Sequence, residues 1–310
     1  MWMTRQKTGA LIILGVLVSS LVLHLDLRAP GNQKEIIVAP STTLRSENRS
    51  TTSQLSLNPI SPSTQNSRPS SPHLIAPSPS EKPTGNVIEF EVINGQAIAY
   101  GDIILGKPDS SFQEKRGRYE APAPKRWDKL EIPYLISPQL PNPQRVEIAL
   151  NYVRQHTPIK FIPYENQPDA LVFEAGTEHC YSYLGRVGGL QPIQLSADCG
   201  PQEIMHELMH ALGFIHEQSR PDRNQFISIN WDNIDEKYHL QFDMVSDALF
   251  EAEKGSPFDY HSIMLYSPQA FALRNDVPTM RSTAATEQIS PAREGLSEED
   301  LKRIRQAFRY

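Results

Sequence analysis

Residues 206 to 216 read His-Glu-Leu-Met-His-Ala-Leu-Gly-Phe-Ile-His, and no other stretch restricts the fold as tightly. His206 and His210 are four residues apart, which on a helix places both rings on one face, able to address a single ion. Glu207 stands beside the first histidine, placed to hold a water without ligating the ion itself. Gly213 can adopt φ > 0, so it ends the helix and lets the chain turn, and the turn brings His216 round as a third ligand. Three protein ligands leave one position open for water, the arrangement of a catalytic rather than a structural zinc site. A bare His-Glu-x-x-His arises by chance; the extension to Gly213 and His216 makes the pattern specific. Residues 201–214 are apolar nearly all round, which predicts a buried helix.

The rest of the chain sets this helix in context. It has 310 residues and a net charge of −6, enough length for a sizeable core and no basic footprint for nucleic acid. Residues 1–28 carry Arg5 and Lys7, followed by an apolar run from Ala10 to Leu25. That run suits a signal peptide, or an uncleaved anchor that would tether the chain to a membrane. Either reading places the remainder outside the cytoplasm, secreted, periplasmic or at the cell envelope. Residues 29–85 are rich in Ser, Pro, Thr and Asn without apolar periodicity, and read as a disordered linker. In residues 86–125, Val87, Phe90, Val92, Ile93, Ile103 and Ile104 suggest short strands around an Asn94-Gly95 turn. The basic stretch QEKRGRYEAPAPKRWDK (residues 113–129) then reads as exposed and open to proteolytic nicking.

A compact domain is expected over 126–310. Leu130–Ser137, IKFIPY, ALVFEAG and PIQLSA read as strands, and Val146, Ala149, Leu150 and Val153 share one helical face. Ser297 lies three residues before Asp300, a capping-box start for a last helix. This order predicts an α+β domain.

At this point the sequence resembles the astacin family of metzincin endopeptidases, in the bacterial type with a short pro-segment. Glu217 directly follows the third histidine in GFIHEQSRPDR, and DYHSIMLY (Asp259–Tyr266) is similar to the family's methionine turn. RWDKLEIPYLI is similar to the start of the family's mature domain, and CYSYLGRVGGLQPIQL to its central sheet. Asn224 and Leu265 depart from the family's Asp and His. The resemblance implies a zincin-like catalytic domain of two subdomains, with a mixed sheet, an active-site helix and a Met-turn. It implies one catalytic Zn2+ on His206, His210 and His216, with Glu207 as general base and Tyr266 as a switchable zinc ligand and oxyanion donor. Met264 would form the floor of the site, and Glu217 would receive the new N-terminus through water after activation. Arg220, Asp222 and Arg223 would form a structural ion-pair turn. Cys180 and Cys199 match the inner of two family disulfides; the other is absent, which leaves the C-terminal part to be held by packing alone. AIAYGDIILG resembles the family's pro-segment motif, with Asp102 capping the zinc of a zymogen and Ala99 where Phe is usual. The implied partner is a protein or peptide substrate, paired along Cys180–Tyr183, and the implied state a monomer. Two alternatives remain: an envelope-tethered zinc-binding module without peptidase activity, and a different metzincin. Intact Glu207 argues against the first; Glu217 and the Tyr266 spacing argue against the second.

Overall fold

The computed structural model of the chain describes residues 87–108, 115–120 and 123–308. The chain divides into Met1–Ser71 and Pro72–Tyr310, and every described residue belongs to the second unit. The expected targeting segment (1–28) and linker (29–85) lie outside the described residues. Among the described residues, no helix is long and apolar enough to cross a membrane.

Asn94 (φ 50°) and Gly95 (φ 77°) make the expected tight turn. Positive φ at both central residues matches the right-handed twist of a hairpin, here β1 (Val87–Ile93) and β2 (Gln96–Ala99). β3 (Ile103–Gly106) continues antiparallel. The basic stretch is not wholly an exposed connector: Arg116–Glu120 forms β4, which returns to pair with β1. Cross-strand charge complementarity explains the pairing, with Arg116–Glu91 at 2.7 Å and Arg118–Glu89 at 2.8 Å.

The following strands are β5 (Glu131–Ile136), β6 (Lys160–Pro163), β7 (Ala170–Ala175), β8 (Tyr181–Tyr183) and β9 (Leu190–Leu195). All lie in one nine-stranded mixed sheet of order β4-β1-β2-β3-β8-β9-β7-β5-β6. β5, β6, β7 and β9 run parallel, and β8 runs against them. β3 joins the two halves, parallel to β8, through Ile103↔Ser182 and Ile104↔Tyr183. Helix α1 (Gln144–His156) buries the predicted face Val146, Ala149, Leu150 and Val153, and α2 (Pro201–Ala211) packs beside it. Both cover Leu171, Phe173, Ile193 and Leu195 of the sheet in the main core. Each such side chain contributes about 1.5–3 kcal/mol on full burial. A second apolar cluster, with Phe242, Phe258, Leu265 and Met280, forms around the short pair β10 (Ile227–Ile229) and β11 (Met280–Ser282). The cleft lies between these two clusters, as an α+β fold of two subdomains predicts.

Cys180 and Cys199 form a disulfide, with Cα atoms 6.1 Å apart. It ties the start of β8 to the loop that leads into α2. The buried Arg145 holds the same loop through the carbonyls of Ser196 (2.7 Å) and Ala197 (3.2 Å). Replacing both cysteines by serine is expected to cost about 3 kcal/mol, by the loop-entropy relation for a closed loop of this order. Urea unfolding measures it, and an unchanged midpoint would deny the bridge a stabilising role.

The C-terminal helix α4 (Glu298–Ala307) starts with the expected capping box, Ser297 Oγ accepting from Asp300 N–H at 2.9 Å. It is not held by packing alone. Leu301 and Ile304 enter the core, but Asp300 also accepts from Ser262 Oγ (2.6 Å) and Ile263 N–H (2.9 Å), and the buried Arg303 pairs with Glu217. Buried polar ties take the place of the missing covalent one.

Candidate active site

Helix α2 begins at Gly200, whose N–H donates to the Glu203 carboxylate (2.9 Å), with Pro201 in the first turn where no N–H is needed. Buried apolar residues on nearly every side fix the helix axis, which aims His206, Glu207 and His210 at the cleft. Gly213 (φ 99°) closes the helix, donating to His210 O at 2.8 Å, and His216 follows the turn as predicted.

The three imidazoles converge. His216 Nε2 lies 3.1 Å from His206 Nε2 and 3.2 Å from His210 Nε2. The opposite ring nitrogens face backbone carbonyls, His206 Nδ1 to Ile263 O (2.9 Å) and His210 Nδ1 to Phe214 O (2.8 Å). A carbonyl only accepts, so both Nδ1 atoms carry the hydrogen and the Nε2 lone pairs point inward. Asp102 completes the cluster from the turn before β3, its carboxylate 3.2–3.3 Å from all three Nε2 atoms. All four ligand atoms lie within 4.8 Å of one another. Asp102 Oδ1 and Glu207 Oε2 are buried without a hydrogen-bond partner among the described residues. Inward lone pairs and the Asp102 carboxylate fit a divalent cation taken by nitrogen and oxygen donors, with Glu207 Oε2 left open beside them.

Electrostatics follow from burial. Burial alone would raise the Asp102 carboxyl, but the facing His216, His210 and His206 hold it well below the usual carboxylate range. Glu207, 2 % exposed, is pushed well above its usual range by burial and then by the Asp102 charge. Burial lowers His210 to about 4.

Tyr266 reaches the site from the opposite wall, its ring 5.0 Å from that of His216. Its hydroxyl donates to Tyr100 O at 2.9 Å, on the segment that carries Asp102. Between them Gly101 takes φ 98°, and a Cβ there would lie 2.7 Å from the Tyr266 hydroxyl. Gly101→Ala is therefore expected to lower the melting temperature of the uncleaved chain by several degrees, since strain and clash act together. Met264 lies fully buried beside the cluster, and Leu265 is buried too. The cleft beyond, about 690 Å³, opens along Cys180, Asp198, Gln202 and Phe271.

Glu217 is buried, and both its oxygens are engaged: Arg303 on one, Arg220 (3.3 Å) and Asp259 N–H (3.0 Å) on the other. In the uncleaved chain it meets these groups and not a chain terminus. Arg220 also pairs with Asp222 at 2.9 Å, as expected, whereas the buried Arg223 donates to the carbonyls of Gln218 and Phe242. The Tyr100 carbonyl and the Asp300 contacts were beyond sequence reading, since backbone groups and long-range partners leave no local pattern.

The sequence profile of the astacin peptidase family matches residues 120–309. The chain belongs to the astacin family. It is 37% identical over 186 residues to zinc metalloproteinase nas-13 of Caenorhabditis elegans, covering 59% of this chain and 41% of that one. With nas-4 of the same nematode it shares 33% over 216 residues, covering 67% and 68%. The solved structure of high choriolytic enzyme 1, a hatching enzyme zinc-protease from Oryzias latipes, superposes with a TM-score of 0.51 at 32% identity. That superposition covers 59% of this chain and 92% of the fish astacin. The chain spans about half the length of nas-13, nas-7 and nas-12 (41%, 49% and 55%).

Proposed function

We propose that the chain is a zinc-dependent endopeptidase made as a latent precursor, with residues 86–125 as pro-segment and 126–310 as the peptidase. The observation that carries this reading is the convergence of His206, His210 and His216 on one point that Asp102 covers. Zinc bound there supplies Lewis acidity toward the scissile carbonyl and toward water.

The chain's own groups do the rest. Glu207 takes the proton of the attacking water and returns it to the leaving amine. Its buried, open Oε2 beside the histidine cluster supports a base that can hold a proton between the two steps. Tyr266 donates to the oxyanion once Tyr100 withdraws, a contribution of about 3 kcal/mol for such a donor. Met264 shapes the floor and does no chemistry. An extended substrate pairs its backbone with the β8 edge, Cys180–Tyr183, in place of β3, whose pairing supports that edge as a peptide acceptor. Cleavage in or just after the EKRGRYEAPAPK stretch frees the cleft. The new chain end then approaches Glu217, which shares its carboxylate with Arg303 and Arg220. The apolar N-terminal run exports the protein, secreted or anchored at the envelope, where the disulfide persists.

The test is metal content and casein hydrolysis of the cleaved chain. One zinc per chain and loss of hydrolysis with a chelator are expected, and His216→Ala should lose both metal and activity. A chain that holds no stoichiometric zinc, or a fully active His216→Ala variant, would sink the proposal.

A further inference from the structure

Asp300 does more than cap α4. It is fully buried and its carboxylate takes three donors: Ser297 N–H at 3.1 Å, Ile263 N–H at 2.9 Å and Ser262 Oγ–H at 2.6 Å. The Ser262 hydroxyl in turn accepts from Met264 N–H at 3.0 Å, so its own hydrogen goes to Asp300. Met264 N–H and Ile263 C=O belong to one peptide unit, and that carbonyl accepts from His206 Nδ1. The hydrogen bonds therefore form an unbroken chain in one sense. It runs from His206 Nδ1–H to the Ile263–Met264 peptide, from that peptide to the Ser262 hydroxyl, and on to the Asp300 carboxylate. Each link polarises the next in the same direction. A carboxylate behind the acceptor of a ligand's outer nitrogen fixes that ring's tautomer and orientation, and raises the basicity of the nitrogen facing the metal.

We propose that Asp300 is a positioning residue of the metal centre, acting on His206 through Ser262 and the Ile263–Met264 peptide. This rests on the zinc reading above and deepens it. The last helix thus sets metal affinity as well as completing the core. A purely structural Asp300 would lower stability and leave the affinity of the folded protein unchanged, because its other task, capping α4, is remote from the metal.

The experiment is zinc affinity of the full chain, by competition with a chromophoric chelator, for wild type, Asp300→Asn, Ser262→Ala and Ser297→Ala. The absorption spectrum of the cobalt-substituted forms is recorded alongside. Asp300→Asn is expected to weaken zinc about 10–100-fold, the range for loss of an outer partner of a metal ligand. It should also alter the cobalt spectrum. Ser262→Ala breaks the same chain at its middle and should weaken zinc in the same direction; it decides alone if Asp300→Asn fails to fold. Ser297→Ala removes the cap and spares the relay, so it should lower the melting temperature with affinity unchanged. Wild-type affinity in the first two variants, or an equal loss in Ser297→Ala, overturns the relay and leaves the zinc reading standing. A wild-type chain without zinc overturns both.

Discussion

Exchange of Glu207 for Gln is expected to lower turnover of the cleaved enzyme at least about 10²-fold, the usual scale for loss of a general base. The fold and the zinc should stay. Gln matches Glu in shape, Glu207 donates no ligand atom to the cluster of Asp102 and three histidines, and its Oε2 has no partner whose loss would open the core. The expected signature is therefore a fall in kcat with little change in KM, unaltered zinc content and an unaltered melting temperature. Near-normal hydrolysis by the variant would remove Glu207 from the mechanism; loss of zinc would move it into the ligand set.

Asp102→Ala is expected to make the uncleaved chain leak activity, at least about tenfold above uncleaved wild type, which corresponds to about 1.4 kcal/mol of lost capping. The Asp102 carboxylate faces all three histidines, so its loss clears the position that a water must occupy. The segment itself should remain docked. Phe90, Ala99 and Ile103 still pack against Ile215, Val245 and Leu249, β3 still pairs with β8, and Tyr266 still bonds Tyr100. Those residual contacts keep the leak well below the activity of the cleaved enzyme. The comparison is hydrolysis by uncleaved wild type and uncleaved variant, with intactness checked by mass. Two fully active proteins, or two equally silent ones, would show that Asp102 is not the switch.

Much of the site was readable from the sequence because helical spacing is a geometric statement. A spacing of four positions from His206 to His210, and a glycine before His216, leave few arrangements other than the observed one. The strands of the main sheet and the buried face of α1 were readable for the same reason, from apolar period and run length. What escaped notice depends on partners distant in sequence. Arg116–Glu120 is basic and exposed, and becomes a strand only because Glu89 and Glu91 stand opposite. Asp300 announced itself as a cap, since Ser297 is three residues away, while Ser262 and Ile263 are nearly forty residues upstream. The burial of Glu217 between Arg220 and Arg303 leaves no local pattern either, since Arg303 is distant in sequence.

The junction between β3 and β8 has a consequence for handling the protein. Before cleavage, β8 is an interior strand of a nine-stranded sheet, its hydrogen-bonding edge met by the chain's own β3. Removing residues 86–125 turns it into a bare rim and uncovers Ile215, Val245, Leu249 and Phe250 in the same step. A naked rim beside an apolar patch invites pairing between copies. On the proposed latent-precursor reading, the segment that silences the enzyme is also its solubility cover, and concentrated stocks should keep best uncleaved, with activation left until substrate is present to occupy the rim.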